Sequence, residues 1–395
     1  MRRVVITGIA PIVYGAADKD EFWDLLLNKN IYLQETPPEF KCKSRYYVPK
    51  PNIESMGTFI EESSKIAVKC ARIAKNDRGL SDFKEFGVIL GIGIGSLGTA
   101  FNSYAAHVGG VSETNRFNRF NRMVIPMTMP NAAASHIAID MGIEGFVYTV
   151  NTACSSGNTA IGEAYISIKT GRTDGVITGG VECLDDGTGG IMRAFDGLTT
   201  LTKSADGLPR PFSNSRDGFL FNMGAGCIII LEELERAKKR GAEIYAEITG
   251  YAHNNDAFNL MQMEPSGRKI EDLFSSVNIN ISEVDYINAH GTGTVQNDAL
   301  EADVIKRVFG AKKPFLNSTK GIIGHSIGAS AALETAVCAL SIKKNIIHGN
   351  LVDCDVIEGL NLPVDAVETQ VNCAVNCSYG FGGHNTLLVL KRYSG

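Results

Sequence analysis

The amino-acid sequence predicts an α/β protein made of two similar halves that share one site. Two observations carry this. Short apolar and β-branched runs alternate with helical stretches along the 395 residues. Two segments, VNTACSSGNTAIGEA and LNSTKGIIGHSIGASAALETA, repeat one shape: a strand, a small-residue loop, then a helix rich in small residues. Small residues on both helices permit close packing. The break is predicted near Ile244, giving a half over 1–243 and a half over 244–395.

Strands are expected, in order, at Val4–Thr7, Val88–Leu90, Val147–Val150, Gly175–Thr178, Cys227–Leu231, Ala246–Thr249, Tyr286–Asn288, Phe315–Asn317, Ala374–Asn376 and Thr386–Leu390. Many are apolar throughout, the pattern of strands covered on both faces. Helices are expected at Asp20–Leu27, Ser63–Ala74, Ala132–Asp140, Gly157–Thr170, Ala299–Phe309 and Ala329–Lys343. Residues 33–58 carry prolines without clear periodicity and read as a surface excursion.

With 44% hydrophobic and 21% charged residues, a chain of this length buries a large core. The net charge of −5 argues against bulk nucleic-acid binding, so an acidic partner would need a local basic patch. The nine cysteines form no CxxC pair. Neither a metal site nor a disulfide framework is expected, and the thiols read as those of a cytoplasmic protein. The apolar run in MRRVVITGIAPIVYG is too short and glycine-broken for a signal peptide or membrane span.

Cys154 stands between an apolar strand and the start of a small-residue helix. A thiol there meets the positive end of the helix dipole and free N–H groups, which favour the thiolate. Buried cysteines are commonly inert, and the other eight are read so. The tight Ser/Gly loop singles out Cys154 as a nucleophile. His290 precedes Gly291-Thr292-Gly293-Thr294, and His325 closes Lys320-Gly321-Ile322-Ile323-Gly324-His325. Each lies where a strand gives way to a glycine-rich turn, a common place for catalytic groups in α/β folds.

NTACSSG, NAHGTGT, STKGIIGH and NCSYGFGGHN resemble the ordered signature blocks of β-ketoacyl-[acyl carrier protein] synthases of the two-histidine, elongating type. RPFSNSRDGF and GAGCIIILEELERAKKRGA are similar to further blocks, and the likeness runs over nearly the whole chain. The resemblance implies a thiolase-like fold with a layered αβαβα core. It implies an acyltransferase with no cofactor of its own, whose substrates ride on the phosphopantetheine arm of an acyl carrier protein.

The same resemblance implies the roles. Cys154 attacks the acyl thioester, and the N–H groups of Cys154 and Phe381 form the oxyanion hole. Donors of that kind are worth about 3–4 kcal/mol each in acyl-transfer sites. Neutral His290 and His325 donate to the malonyl thioester carbonyl as CO₂ leaves. Lys320 orients and electrostatically supports His325, with Glu334 in the same network and Asn288 and Asn385 in an outer shell. Thr292 and Thr294 hold the phosphopantetheine arm, or simply cap a turn. Phe381, between two glycines, gates the site.

Thiolases carry a second catalytic cysteine with no matching block here. Initiating synthases of the His/Asn type lack STKGIIGH, and chain-length factors lack the nucleophile that Cys154 supplies. An elongating synthase remains. The family's usual Gly-Glu or Gly-Asp pair is Asn222-Met223 in this chain, and the IAPIVYG turn is unusual. These departures point to a specialised polyketide or polyene pathway, with a homodimer or a chain-length-factor-like paralogue as partner.

Docking of an acidic carrier is expected on Lys65, Lys69 and Arg72, which share one helix face, or on Arg116, Arg119 and Arg122 in NRFNRFNR. Two other classes stay open. Gly93, Gly95 and Gly98 fit GxGxxG, so an NAD(P)-binding oxidoreductase is a formal rival, but Glu113 sits in a polar stretch rather than at a strand end. A non-catalytic subunit of a ketosynthase pair is the other.

Overall fold

The computed structural model describes residues 2–57, 59–76, 82–114, 121–277 and 279–395, with backbone alone over 110–114. Ten strands form the main sheet: β1 Val4–Ile12, β2 Gly87–Gly91, β3 Val147–Val150, β4 Gly175–Cys183, β5 Gly224–Glu233, β6 Ala246–Asn255, β7 Tyr286–Asn288, β8 Phe315–Asn317, β9 Cys373–Gly380 and β10 His384–Lys391. Eight helices matter here: α1 Lys19–Leu27, α2 Glu62–Asn76, α3 Leu97–Thr114, α4 Ala132–Met141, α5 Ser156–Lys169, α6 Arg268–Ser276, α7 Val295–Phe309 and α8 Ser330–Lys344.

The strand order is β8-β7-β9-β10-β6-β1-β5-β4-β2-β3. Counted outward from the centre, each half runs first, fifth, fourth, second, third. The directions repeat as well. First and fifth strands are antiparallel, fifth and fourth antiparallel, and the fourth–second and second–third pairs parallel. The sheet thus contains one five-stranded arrangement twice.

Within the main sheet the halves join through three residue pairs, Val4–Ile6 against Ala246–Ile248. At this corner the sheet folds around α5 and α8, and each of these helices touches strands of both halves. Two strand layers with paired helices between them and further helices outside give the layered arrangement. Helix α8 is buried from Ser330 to Ile342 on every side. Its sequence is accordingly small and apolar all round rather than striped. Helices α5 and α8 meet at Gly157, where a Cβ would lie 2.7 Å from the Ala332 nitrogen. One apolar cluster includes Ile6, Ile161, Val176, Ile248, Leu333 and Leu388, so both halves share a core.

All ten expected strands belong to this sheet, most of them longer than their apolar centres. Helix α3 escaped the pattern because Gly98, Gly109 and Gly110 interrupt it, and glycine carries low helix propensity. Residues 33–58 are not merely a surface excursion. Val48 donates to Phe221 O and accepts from Met223 N, which draws Tyr47 into the interior. Side-chain packing and a two-bond bridge, not periodicity, hold this segment.

Candidate active site

Strand β3 ends at Val150, and the chain turns sharply into α5. Ala153 has φ +52°, uncommon for a residue with a side chain, and Cys154 follows it in a single tight turn. The Asn151 carboxamide accepts from Ala153 N at 3.1 Å, and Ser156 Oγ accepts from Thr152 N at 2.9 Å. The second half repeats the device. Ile327 has φ +48° and stands three residues before α8, as Ala153 does before α5.

Cys154, His290 and His325 line one cavity of about 430 Å³, with Thr292, Thr294, Tyr379, Phe381 and Asn385. The two imidazoles lie edge to face, with ring centres 5.7 Å apart at 86°. Burial, reinforced by Lys320, pushes both well below the ordinary histidine range, so both rings are neutral near pH 7. The His325 Nδ1 lies 2.8 Å from Ser330 Oγ. His290 N donates to Glu301 at 2.8 Å, and Tyr379 packs against its ring at 5.4 Å.

The thiol differs from the sequence expectation. Burial pushes Cys154 up to about 12. Lys320 and the N–H groups of Phe381 and Cys154 act in the opposite direction, while buried Glu182 adds to the rise. In the resting site desolvation outweighs the helix end, and the sulfur keeps its proton. The same two N–H groups are those that the resemblance implies for the oxyanion hole.

Lys320 acts on His325 from a distance rather than by contact. Its ammonium donates to the carbonyl of His290 at 2.6 Å and pairs with Glu334, both partners being buried. It makes no hydrogen bond to His325 among the described residues; its influence there is electrostatic. Burial pushes Glu334 up to about 7, against the pull of Lys320. Asn288 braces β7 against β8 through Tyr286, Asn317 and Thr319. Asn385 belongs elsewhere: it donates to Asp256 at 2.6 Å, beside the turn that carries Phe381. Asp256 N, Leu260 O and the Asn255 side chain tie that turn down through Gly382 and Gly383. Thr292 and Thr294 share a 2.9 Å hydroxyl contact at the cavity wall.

The sequence assigns no role to several residues at the site. Ser330 and Tyr379 are polar residues in otherwise small or apolar runs, and Glu301 follows His290 on α7 much as Glu334 follows His325 on α8. Asn222, noted only as a departure, is wholly buried. It donates from Nδ2 to Ile323 O at 2.7 Å, accepts from Gly224 N at 2.9 Å, and donates from its backbone to His325 O.

The GxGxxG stretch is occupied from within. The Glu182 carboxylate accepts from Gly93 N, Ile94 N, Gly95 N and Gly328 N. Those amides are therefore committed and cannot cradle a pyrophosphate, which removes the structural basis for a dinucleotide site. Of the expected docking residues, Lys65 pairs with Glu62 and Arg72 with Asp140. Lys69 lines a second small pocket with Glu54 and Arg72, and Arg122 is exposed. Arg116 and Arg119 lie outside the described residues.

Two repeated five-stranded units, with a cysteine and two neutral histidines at their junction, define a thiolase-fold condensing enzyme. The family described as "Beta-ketoacyl synthase, N-terminal domain" matches residues 54–237, and its C-terminal counterpart matches 245–352. The 3-oxoacyl-[acyl-carrier-protein] synthase 2 of Coxiella burnetii is 32% identical, with 99% of each chain covered. Nodulation protein E of a Rhizobium species is likewise 32% identical over 99% of each. A type II polyketide ketosynthase solved with its acyl-carrier protein (AntDE with AntF) superposes with a TM-score of 0.89 at 27% identity, covering 99% of this chain and 100% of that one. The ishigamide ketosynthase/chain length factor gives 0.90 at 26% identity over all of both chains. The chain belongs to the β-ketoacyl synthase family.

Proposed function

We propose that the protein elongates carrier-bound acyl chains by decarboxylative condensation. The observation that carries this reading is the convergence of Cys154 with two neutral imidazoles on one cavity. Cys154 exchanges its proton for the acyl group of an acyl-carrier thioester and releases the carrier thiol. A malonyl thioester then enters and loses CO₂. Its carbonyl oxygen becomes an enolate oxygen held by His290 and His325 as hydrogen-bond donors. The enolate carbon attacks the acyl carbonyl, whose oxygen is met by the N–H groups of Cys154 and Phe381. The C–S bond breaks, the β-ketoacyl chain leaves on the second carrier, and the sulfur regains a proton from solvent. Neutral imidazoles suit this task, because the charge to be stabilised appears only in the transition state.

No cofactor of its own enters this reading. Thr292 and Thr294 line the way for the phosphopantetheine arm. The carrier docks across the cavity mouth, where Leu198, Leu260, Met261 and Val295 are exposed. Lys69 and Arg122 add positive charge for an acidic partner. A homodimer, or a heterodimer with a chain-length-factor-like paralogue, is supported by edge strand β3 beside exposed Ile125, Met129 and Ile139. No helix among the described residues is long and apolar enough to cross a membrane. A cytoplasmic location belongs to this reading, supported by nine free cysteines of the kind a reducing compartment maintains.

The acyl chain is of the polyketide or polyene kind in this reading, because Phe195, Phe219 and Phe381 wall the cavity with flat aromatic surface. Condensation assays with malonyl carrier and a panel of primers, with mass spectrometry of the group on Cys154, test it. Carbon–carbon bond formation lost in Cys154→Ala is expected. Undiminished product from that variant would overturn the mechanism, and exclusive use of saturated fatty acyl primers would overturn the pathway.

A further inference from the structure

His325 has a partner that neither its motif nor the usual reading of the site requires. Ser330, in the first turn of α8, lies buried with its Oγ 2.8 Å from His325 Nδ1. That oxygen already accepts from Ser326 N at 3.0 Å. A hydroxyl has one proton to donate and two lone pairs. With one lone pair taken, the oxygen keeps one proton and one lone pair, and two groups lie in reach: the imidazole nitrogen at 2.8 Å and Ser326 Oγ at 3.3 Å. The shorter contact goes to the imidazole.

We infer that Ser330 is a positioning residue that fixes the tautomer of His325, donating to Nδ1 so that Nε2 carries the proton. Which ring nitrogen of a histidine is protonated is set by the hydrogen bond made at the other. With Nδ1 occupied by Ser330, Nε2 is the nitrogen left for a ligand in the cavity that His325 lines. The Nε2–H form donates to a developing enolate oxygen, and the opposite tautomer presents a lone pair to it and repels it. This inference rests on the proposed role of His325 as a donor in decarboxylation. It adds that the donor form is built in before substrate arrives. His290 is arranged differently, with its buried Nδ1 making no hydrogen bond among the described residues. Ser330 therefore acts on one of the two imidazoles only.

The test is nitrogen-15 NMR of histidine-labelled protein, with the His325 signal assigned by its loss in His325→Gln. The wild type is expected to show a protonated Nε2 and an unprotonated Nδ1. Ser330→Ala is expected to shift the population toward Nδ1–H and to slow malonyl decarboxylation about tenfold, the effect of one lost hydrogen bond. Acylation of Cys154 by a small acyl thioester should change less than about twofold. Ser330→Thr, which keeps the hydroxyl, should restore both tautomer and rate. A wild-type His325 protonated on Nδ1 would overturn the inference without any variant. So would Ser330→Ala protein with unchanged tautomer, or with a changed tautomer and an unchanged decarboxylation rate. If His325→Gln itself decarboxylates at the wild-type rate, the donor role of His325 fails instead, whatever the tautomer.

Discussion

The ammonium of Lys320 reaches the backbone carbonyl of His290 at 2.6 Å, and so ties together the loops of His290 and His325, which follow different strands. Its other partner, Glu334, lies on α8, the helix that follows His325. One buried cation thus fixes the loop of one imidazole and depresses the protonation of both.

Replacing Lys320 with methionine should therefore do two things. The buried pair loses one member, which destabilises the fold by about 3–5 kcal/mol, and chemical denaturation measures it. Condensation should fall at least a hundredfold, because the His290 loop loses its tether. Adding Glu334→Leu should recover stability and not activity. Full activity in Lys320→Met would show that the tether is dispensable.

The acid limb of condensation should lie well below pH 6.5. Both imidazoles have lowered values in the folded protein, so each stays neutral as pH falls through the ordinary histidine range and gains its proton only further down. A pH profile of kcat/KM for the malonyl carrier reads this directly. A limb centred near 6.5 would mean that at least one ring is far less desolvated than its burial implies.

Cys154 is held up to about 12 in the resting site, so its thiolate fraction should rise tenfold per pH unit across the neutral range. Iodoacetamide labelling of the free enzyme, followed from pH 6 to pH 9, should climb without a plateau. An inflection near pH 7 would show that the helix end wins over burial after all.

Asn222 pins the turn that delivers His325, through Ile323 O and His325 O. Asn222→Gly removes the side-chain bonds from a buried site. Condensation should fall about tenfold, as for one lost buried hydrogen bond, and Cys154 acylation should hold. Equal loss in both half-reactions would mean general loosening instead.

Carrier docking across the apolar mouth predicts that Leu260→Asp raises the KM for carrier-borne thioester about tenfold. Acylation by a small soluble thioester should be unchanged. Charge reversal at Lys69 and Arg122 should add a rise that shrinks with salt. Unmoved KM values in both variants would place the carrier elsewhere.

Much of this protein is written locally. Short runs of three to five residues mark every strand of the main sheet, and many are apolar throughout because a strand covered on both faces needs nothing else. The strand–loop–helix echo marks both halves, and the motifs mark Cys154, His290 and His325, because a nucleophile and its partners need tight turns that only certain residues permit. Side-chain destinations were not local. Lys320 stands five residues before His325 in sequence yet donates to His290, since the loops of β7 and β8 lie side by side only once both strands pair with their neighbours. The glycines at 93–98 look like a phosphate cradle until the fold brings Glu182 from β4 onto their amides. Burial decided the rest: the helix end favours a thiolate at Cys154, but how much water the packed halves leave around the sulfur determines whether it keeps its proton.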